Sequence, residues 1–252
     1  MAAFESSLAK LARIDDAKLE QDSPWLDGTA DVRYVVVYSA MEREQQAAAA
    51  APPPEHESAL ILRIAQTAFG DLRGLLCGVP AEALDAVPRE GQWTVRETLA
   101  HAIATERSYL DAVLYALERG DGDPVARPAS RRPSPDAHDT GGDAVDIAQR
   151  FGQRRAETDA ALAALDRVQL ALPSVWSGFS IDVRFRLHRF ASHLVEHTIQ
   201  AETALDALGL RGSDAARAAR RISALRGSHE RTTTAETVAD LDRQLAAAIE
   251  RS

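Results

Sequence analysis

Two histidines one helical turn apart, His193 and His197 in HRFASHLVEHTIQAE (residues 188–202), stand out in a chain with only seven histidines. Positions four apart on a helix share a face, with β-carbons about 5 to 6 Å apart, so both imidazoles can aim at one point. One helix can in this way give two ligands to a metal ion. The competing reading is a pair of histidines making hydrogen bonds at a helix interface. A third histidine, His101, lies in GQWTVRETLAHAIATE (residues 91–106). On its own helix it sits among Thr98, Thr105, Ser108 and Tyr109, away from the apolar stripe of Leu99, Ile103 and Leu110. Small polar neighbours suit a cleft wall better than a packed core. Three neutral imidazoles from two helices would leave a fourth coordination position open, which separates a catalytic metal site from a closed structural one. The single cysteine, Cys77, excludes an internal disulfide or a thiolate cluster, so any metal must draw on histidine and carboxylate.

The remaining candidates read more plainly. His188 points about 140° away from His193 around the helix and is not expected to be a ligand. His56, His138 and His229 lie in segments marked by Pro, Asp or Gly and are expected in solvent. Glu196 and Glu202 each point more than about 90° from His197 and read as surface charges. Glu106 interrupts the apolar side of its helix, either as a buried acid near the metal or as a salt-bridge partner inside the fold. Arg189 shares the His193 face and could hold an anionic substrate, although an exposed arginine is the simpler reading for both it and Arg186. Cys77, in LLCG at a helix end, reads as a small core residue with nothing nearby to lower its pKa.

The elements that must position these residues are helical almost throughout. Apolar residues recur three and four apart, and alternation is rare. A helix is expected from Asp31 to Ala51, ended by Pro52, Pro53 and Pro54, with its RYVVVYS core alternatively a strand. A second runs from Glu57 to Cys77, stopped by Gly78 and Pro80. The third opens on Thr94 with Glu97 three residues on, the capping-box spacing, and continues to Gly120. Residues 120–141, rich in Pro, Asp, Arg and Gly, are expected to lack regular helix and to be weakly ordered, with a lid at the cleft mouth as one use. A fourth helix is expected from Asp143 to Asp166 and a fifth from Val183 to Leu208, separated by the turn-rich LALPSVWSGFSID. Shorter helices near residues 213–225 and 235–251 complete the chain, with no internal repeat. The expected fold is all-α: a four-helix bundle over residues 55–210, with additional N-terminal helices in 1–54 and C-terminal helices in 211–252.

The Trp93–Thr94 helix start carrying His101, followed by an HxxxH pair on a later helix, resembles the DinB-like superfamily of metal-binding helical bundles over about residues 55–210. The resemblance implies a metal triad of His101, His193 and His197, with Trp93 structural and with Thr105 and Gln200 near the site. It implies a divalent metal, zinc or nickel most often. Family members with assigned activities include bacillithiol and mycothiol S-transferases, a mycothiol-dependent maleylpyruvate isomerase, and the metal-binding domain of ergothioneine-type sulfoxide synthases. The isomerase branch has a glutamate where this chain has His193, and the sulfoxide synthases carry a large second domain. Thiol transfer with a low-molecular-weight thiol such as mycothiol or bacillithiol is therefore the expected activity. A non-catalytic metal- or ligand-binding stress protein and a metal-assisted hydrolase are the alternatives.

Composition narrows the partners. The 252 residues are 45% hydrophobic, enough for a substantial core, and 29 Lys and Arg against 38 Asp and Glu give a net charge of −9. No long basic cluster is available to neutralise phosphates, so neither nucleic acid nor anionic membrane is an expected partner. No apolar run approaches the ~20 residues that span a bilayer. The expected setting is cytoplasmic, the substrate a small molecule, and an exposed apolar face on the added helices would favour a homodimer.

Overall fold

The computed structural model describes residues 2–134 and 140–251. Its elements run α1 (Ala2–Ala12), a hairpin of β1 (Asp22–Trp25) and β2 (Gly28–Asp31), α2 (Ser39–Ala50), α3 (Glu57–Leu76) and α4 (Val95–Glu118). They continue with α5 (Ala144–Leu162), the short α6 (Arg167–Leu170), a second hairpin of β3 (Pro173–Trp176) and β4 (Phe179–Asp182), then α7 (Val183–Ala207), α8 (Asp214–Gly227) and α9 (Ala235–Arg251). The RYVVVYS segment is helical, with Arg33–Tyr38 wound as a π-helix leading into α2.

Helices α3, α4, α5 and α7 form a four-helix bundle. Its core joins Phe69, Leu72, Leu99, Val113, Ile147, Phe151, Leu187 and Phe190. Phe69 and Phe151 meet edge to face with centroids 5.2 Å apart, a favoured arrangement for two quadrupoles. The capping box at Thr94 forms as its spacing predicts: the Thr94 hydroxyl accepts from the Glu97 amide at 3.1 Å, and the Glu97 carboxylate accepts from the Thr94 amide at 2.8 Å. The helix expected through Asp166 ends earlier, at Leu162, because Asp166 caps α6 instead, accepting from the Gln169 amide at 2.8 Å.

Both hairpins were missed by periodicity, since four-residue strands leave too few alternations to register. They also form an internal repeat, contrary to the expectation of none. Leu19, Ser23, Trp25, Asp31, Val32 and Arg33 recur at constant spacing as Leu170, Ser174, Trp176, Asp182, Val183 and Arg184. The strands pair in matching register, Ser23 with Ala30 and Trp25 with Gly28, Ser174 with Ile181 and Trp176 with Phe179. Leu26 and Ser177 both turn with positive φ, 48° and 49°. Asp31 and Asp182 then each cap the helix that follows, accepting from the amides of Tyr34 and Phe185 at 2.7 Å.

The repeat extends to the packing. Helices α8 and α9 lie against α1 and α2 as α3 and α4 lie against α5 and α7. The N-terminal and C-terminal additions therefore make one second core, in which Phe4, Leu8, Leu11 and Val36 pack with Ala219, Ile222 and Leu245. The two halves meet along α3 and α8. A β-carbon on Gly70 would collide with the Ser223 carbonyl, and one on Gly227 with the Gln66 carbonyl, so the backbones approach through a reciprocal pair of glycines.

Candidate metal centre and its pocket

Helices α4 and α7 pack face to face and bring the three histidines together. His193 Nε2 lies 2.9 Å from His197 Nε2 and 3.3 Å from His101 Nε2, and the candidate ligand atoms all fall within 4.8 Å of one another. Three nitrogens each ~2.1 Å from one ion, in tetrahedral directions, would stand about 3.4 Å apart. The Nδ1–H of His197 donates to Oε1 of Gln200 at 2.8 Å, which leaves the Nε2 lone pair of His197 facing its neighbours. Lone pairs crowded this closely repel unless a proton or a cation lies between them, so the donor set fits a divalent ion. His193 and His197 are buried and His101 is on the open side.

The electrostatics favour neutral rings. Burial, with the neighbouring His197 and His101 adding to it, pushes the His193 pKa down to about 3. Burial and His197 also lower His101, against a raising influence from Glu196. Neutral imidazole is the ligating form.

The triad opens onto a pocket of about 790 Å³. Trp93 stands 5.2 Å from the His101 ring, and Tyr109 stands 5.7 Å from the His193 ring, centroid to centroid. The β3–β4 hairpin supplies Trp176 to the far wall. The connector after α4 supplies another wall. Polar contacts with α4 hold residues 124–127: the Tyr115 hydroxyl donates to the Pro124 carbonyl at 2.6 Å, and Arg127 donates to the Ser108 carbonyl at 2.9 Å and pairs with Asp111 at 2.6 Å. Its described part follows an irregular course with a 3-10 turn at Ala129–Arg131 and no α-helix.

Thr105, Arg189 and Gln200, expected near the site, all line this pocket. Trp93, read as structural, lines it too and is 44% exposed. Glu196 lies on its rim. Glu106 is instead a structural partner, bonded to buried Arg155 at 2.6 Å, and Glu202 pairs with Arg220 at 2.9 Å. Cys77 is buried in the second core, and burial lifts its thiol pKa to about 12. His56 is exposed as expected, His188 is exposed and apart from the triad, and His138 lies outside the described residues.

Two expectations fail. His229 is buried, bonding Glu44 at 2.8 Å and Thr233 at 3.1 Å, because the fold closes the two chain termini over it. Arg186 is not an exposed arginine: it is 4% exposed and points at the pocket wall. Sequence reasoning also missed Trp176, whose place depends on the unseen hairpin.

The family model described as the DinB superfamily matches residues 65–201 of this chain. Among solved structures, the chain is similar to one described as "YfiT from Bacillus subtilis is a probable metal-dependent hydrolase with an unusual four-helix bundle topology", at 16% identity and a TM-score of 0.48, covering 63% of this chain and 93% of that one. No curated protein matches it.

Proposed function

The chain belongs to the DinB superfamily, and from that premise we propose that it is a metal-dependent enzyme transferring a low-molecular-weight thiol, such as mycothiol or bacillithiol, to a small electrophile. The observation that carries the metal is the triad itself, three Nε2 atoms converging at the edge of a 790 Å³ pocket. A divalent ion held there by His101, His193 and His197, zinc or nickel in kind, would supply Lewis-acid chemistry and favour the thiolate over the thiol. The chain's own residues do the rest. Gln200 fixes the tautomer and direction of His197, and Trp93, Tyr109 and Trp176 give the substrate apolar walls that exclude water. Thr105, at the pocket wall, offers a hydroxyl to orient it. The sulfur nucleophile comes from solution, because the single thiol of the chain is buried elsewhere and pushed up to about 12.

A second reading rests on Glu196, a carboxylate on the pocket rim close enough to act on His101. It could take a proton from water, and the reaction would then be hydrolysis. Metal analysis of the purified protein, followed by turnover with mycothiol, bacillithiol and glutathione across a panel of electrophiles, separates the readings. Bound metal with thiol-dependent turnover supports transfer. Turnover without thiol selects hydrolysis, bound metal without turnover selects a binding protein, and absence of metal after loading overturns the site.

A further inference from the structure

Among the described residues lining the metal pocket, arginines outnumber acids: Arg127, Arg132, Arg186 and Arg189 face it, with Glu196 the one carboxylate. Arg127 is neutralised by Asp111. Among the described residues Arg186 has no such partner. Its guanidinium sits over the Tyr109 ring at 5.0 Å and donates to the Val175 carbonyl at 2.6 Å, while its Nε has no hydrogen-bond partner. Arg189 lies over the Trp176 ring at 4.6 Å, donates to the Ser192 hydroxyl at 3.2 Å, and likewise leaves its Nε unpartnered.

A buried cation without a counter-ion is costly, and folds that keep one usually give it an anion. Elsewhere this protein does so: Arg155 is paired with Glu106, and Arg226 with Glu44. Among the described residues Arg186 is the exception, and its burial, partly offset by Tyr109 and reinforced by Arg127 and Arg189, pushes its pKa down to about 10. The guanidinium is planar and its stacking on Tyr109 holds its edge in place, the presentation that suits a carboxylate. Tyr109 separates Arg186 from His193, so one aromatic ring spans the distance between the cationic end of the pocket and the histidine triad.

We infer that Arg186 and Arg189 form a carboxylate-binding subsite, and that the substrate of this pocket is a small molecule whose carboxylate lies about one aromatic ring away from its reacting atom. This deepens the proposed function and rests on it for the identity of the reacting end. The subsite itself does not need the metal.

The test is therefore made on protein stripped of metal by chelator. Benzoate and its neutral counterpart benzamide are titrated by calorimetry and by fluorescence of the pocket tryptophans. Benzoate is expected to bind about tenfold or more tightly than benzamide, the size of one or two charge-assisted hydrogen bonds. Arg189→Gln and Arg186→Gln should each remove that preference, while Arg186→Lys should keep part of it. Arg186→Gln fills a buried position and is paired with a melting curve; if it does not fold, Arg189→Gln decides. Equal binding of benzoate and benzamide, or a preference unchanged in folded Arg189→Gln, overturns the subsite. Loss of metal binding would overturn the proposed function without touching this result.

Discussion

At the scale of single residues, ligating the proposed metal and orienting its ligands would fall to different side chains. His193 and His197 come from one helix face, so their relation is fixed by helical geometry, and His101 closes the set from α4. Replacing His197 by Ala should abolish stoichiometric metal, read by elemental analysis. His188→Ala, on the same helix but exposed, should leave metal content unchanged. Gln200→Leu tests orientation separately. Losing the acceptor for the His197 Nδ1–H should weaken metal affinity about 10- to 100-fold with the fold intact, measured by competition with a chromogenic chelator.

At the scale of elements, the site depends on where α4 and α7 begin. Both N-termini are fixed by side-chain caps, Thr94 with Glu97 and Asp182 with the Phe185 amide. Thr94→Ala should cost about 1 kcal/mol in urea unfolding. It should also weaken metal binding, because His101 lies two turns from that cap and moves with it. The buried cluster at the end of α8 gives a pH prediction. Burial alone would raise the Glu44 carboxyl, but hydrogen bonds from His229 and Arg226 outweigh it and hold the pKa below the ordinary value of 4.5. A carboxyl depressed in the folded state stabilises fully above its unfolded pKa, and that stability is lost as pH falls through the folded one. Acid unfolding should therefore set in below about pH 4.5 and shift upward in Glu44→Gln. The same variant should lose about 3 kcal/mol at neutral pH, since it leaves Arg226 short of a buried counter-charge.

At the scale of the whole molecule, two halves of like packing carry one histidine triad. After the π-helix adds a residue to the run preceding α2, the buried positions of α2 and α7 correspond as Ala40 with Phe190 and Glu44 with Leu194. On that register, Arg43 and Ala47 stand where α7 has His193 and His197. Thr234 caps α9 as Thr94 caps α4, accepting from the Thr237 amide at 3.2 Å, which sets Leu241 against His101. The second half thus has the packing of the first without its histidine triad, and it covers α3 where Gly70 meets Ser223 and Gly227 meets Gln66. Gly227→Leu should lower the melting temperature by several degrees and reduce unfolding cooperativity, because its side chain would meet the Gln66 backbone, which cannot yield as a flexible side chain does. Metal stoichiometry should stay at one per chain.

The helices, the capping box and the HxxxH face were legible in the amino-acid sequence because each is a local matter, set by spacing within a turn or two. So was His101 as a member of the triad, through its polar surroundings on a helix with an otherwise apolar stripe. What only the tertiary structure decided depends on residues far apart in the chain. Arg186 is buried because a hairpin too short to show alternation folds over it, and His229 is buried because α2 from one terminus and α9 from the other close around it. The repeat escaped the sequence for the same reason: a handful of shared residues across half the chain specify a common hairpin and helix start, while packing, which tolerates any apolar side chain of suitable volume, preserves the rest of the likeness without preserving the letters.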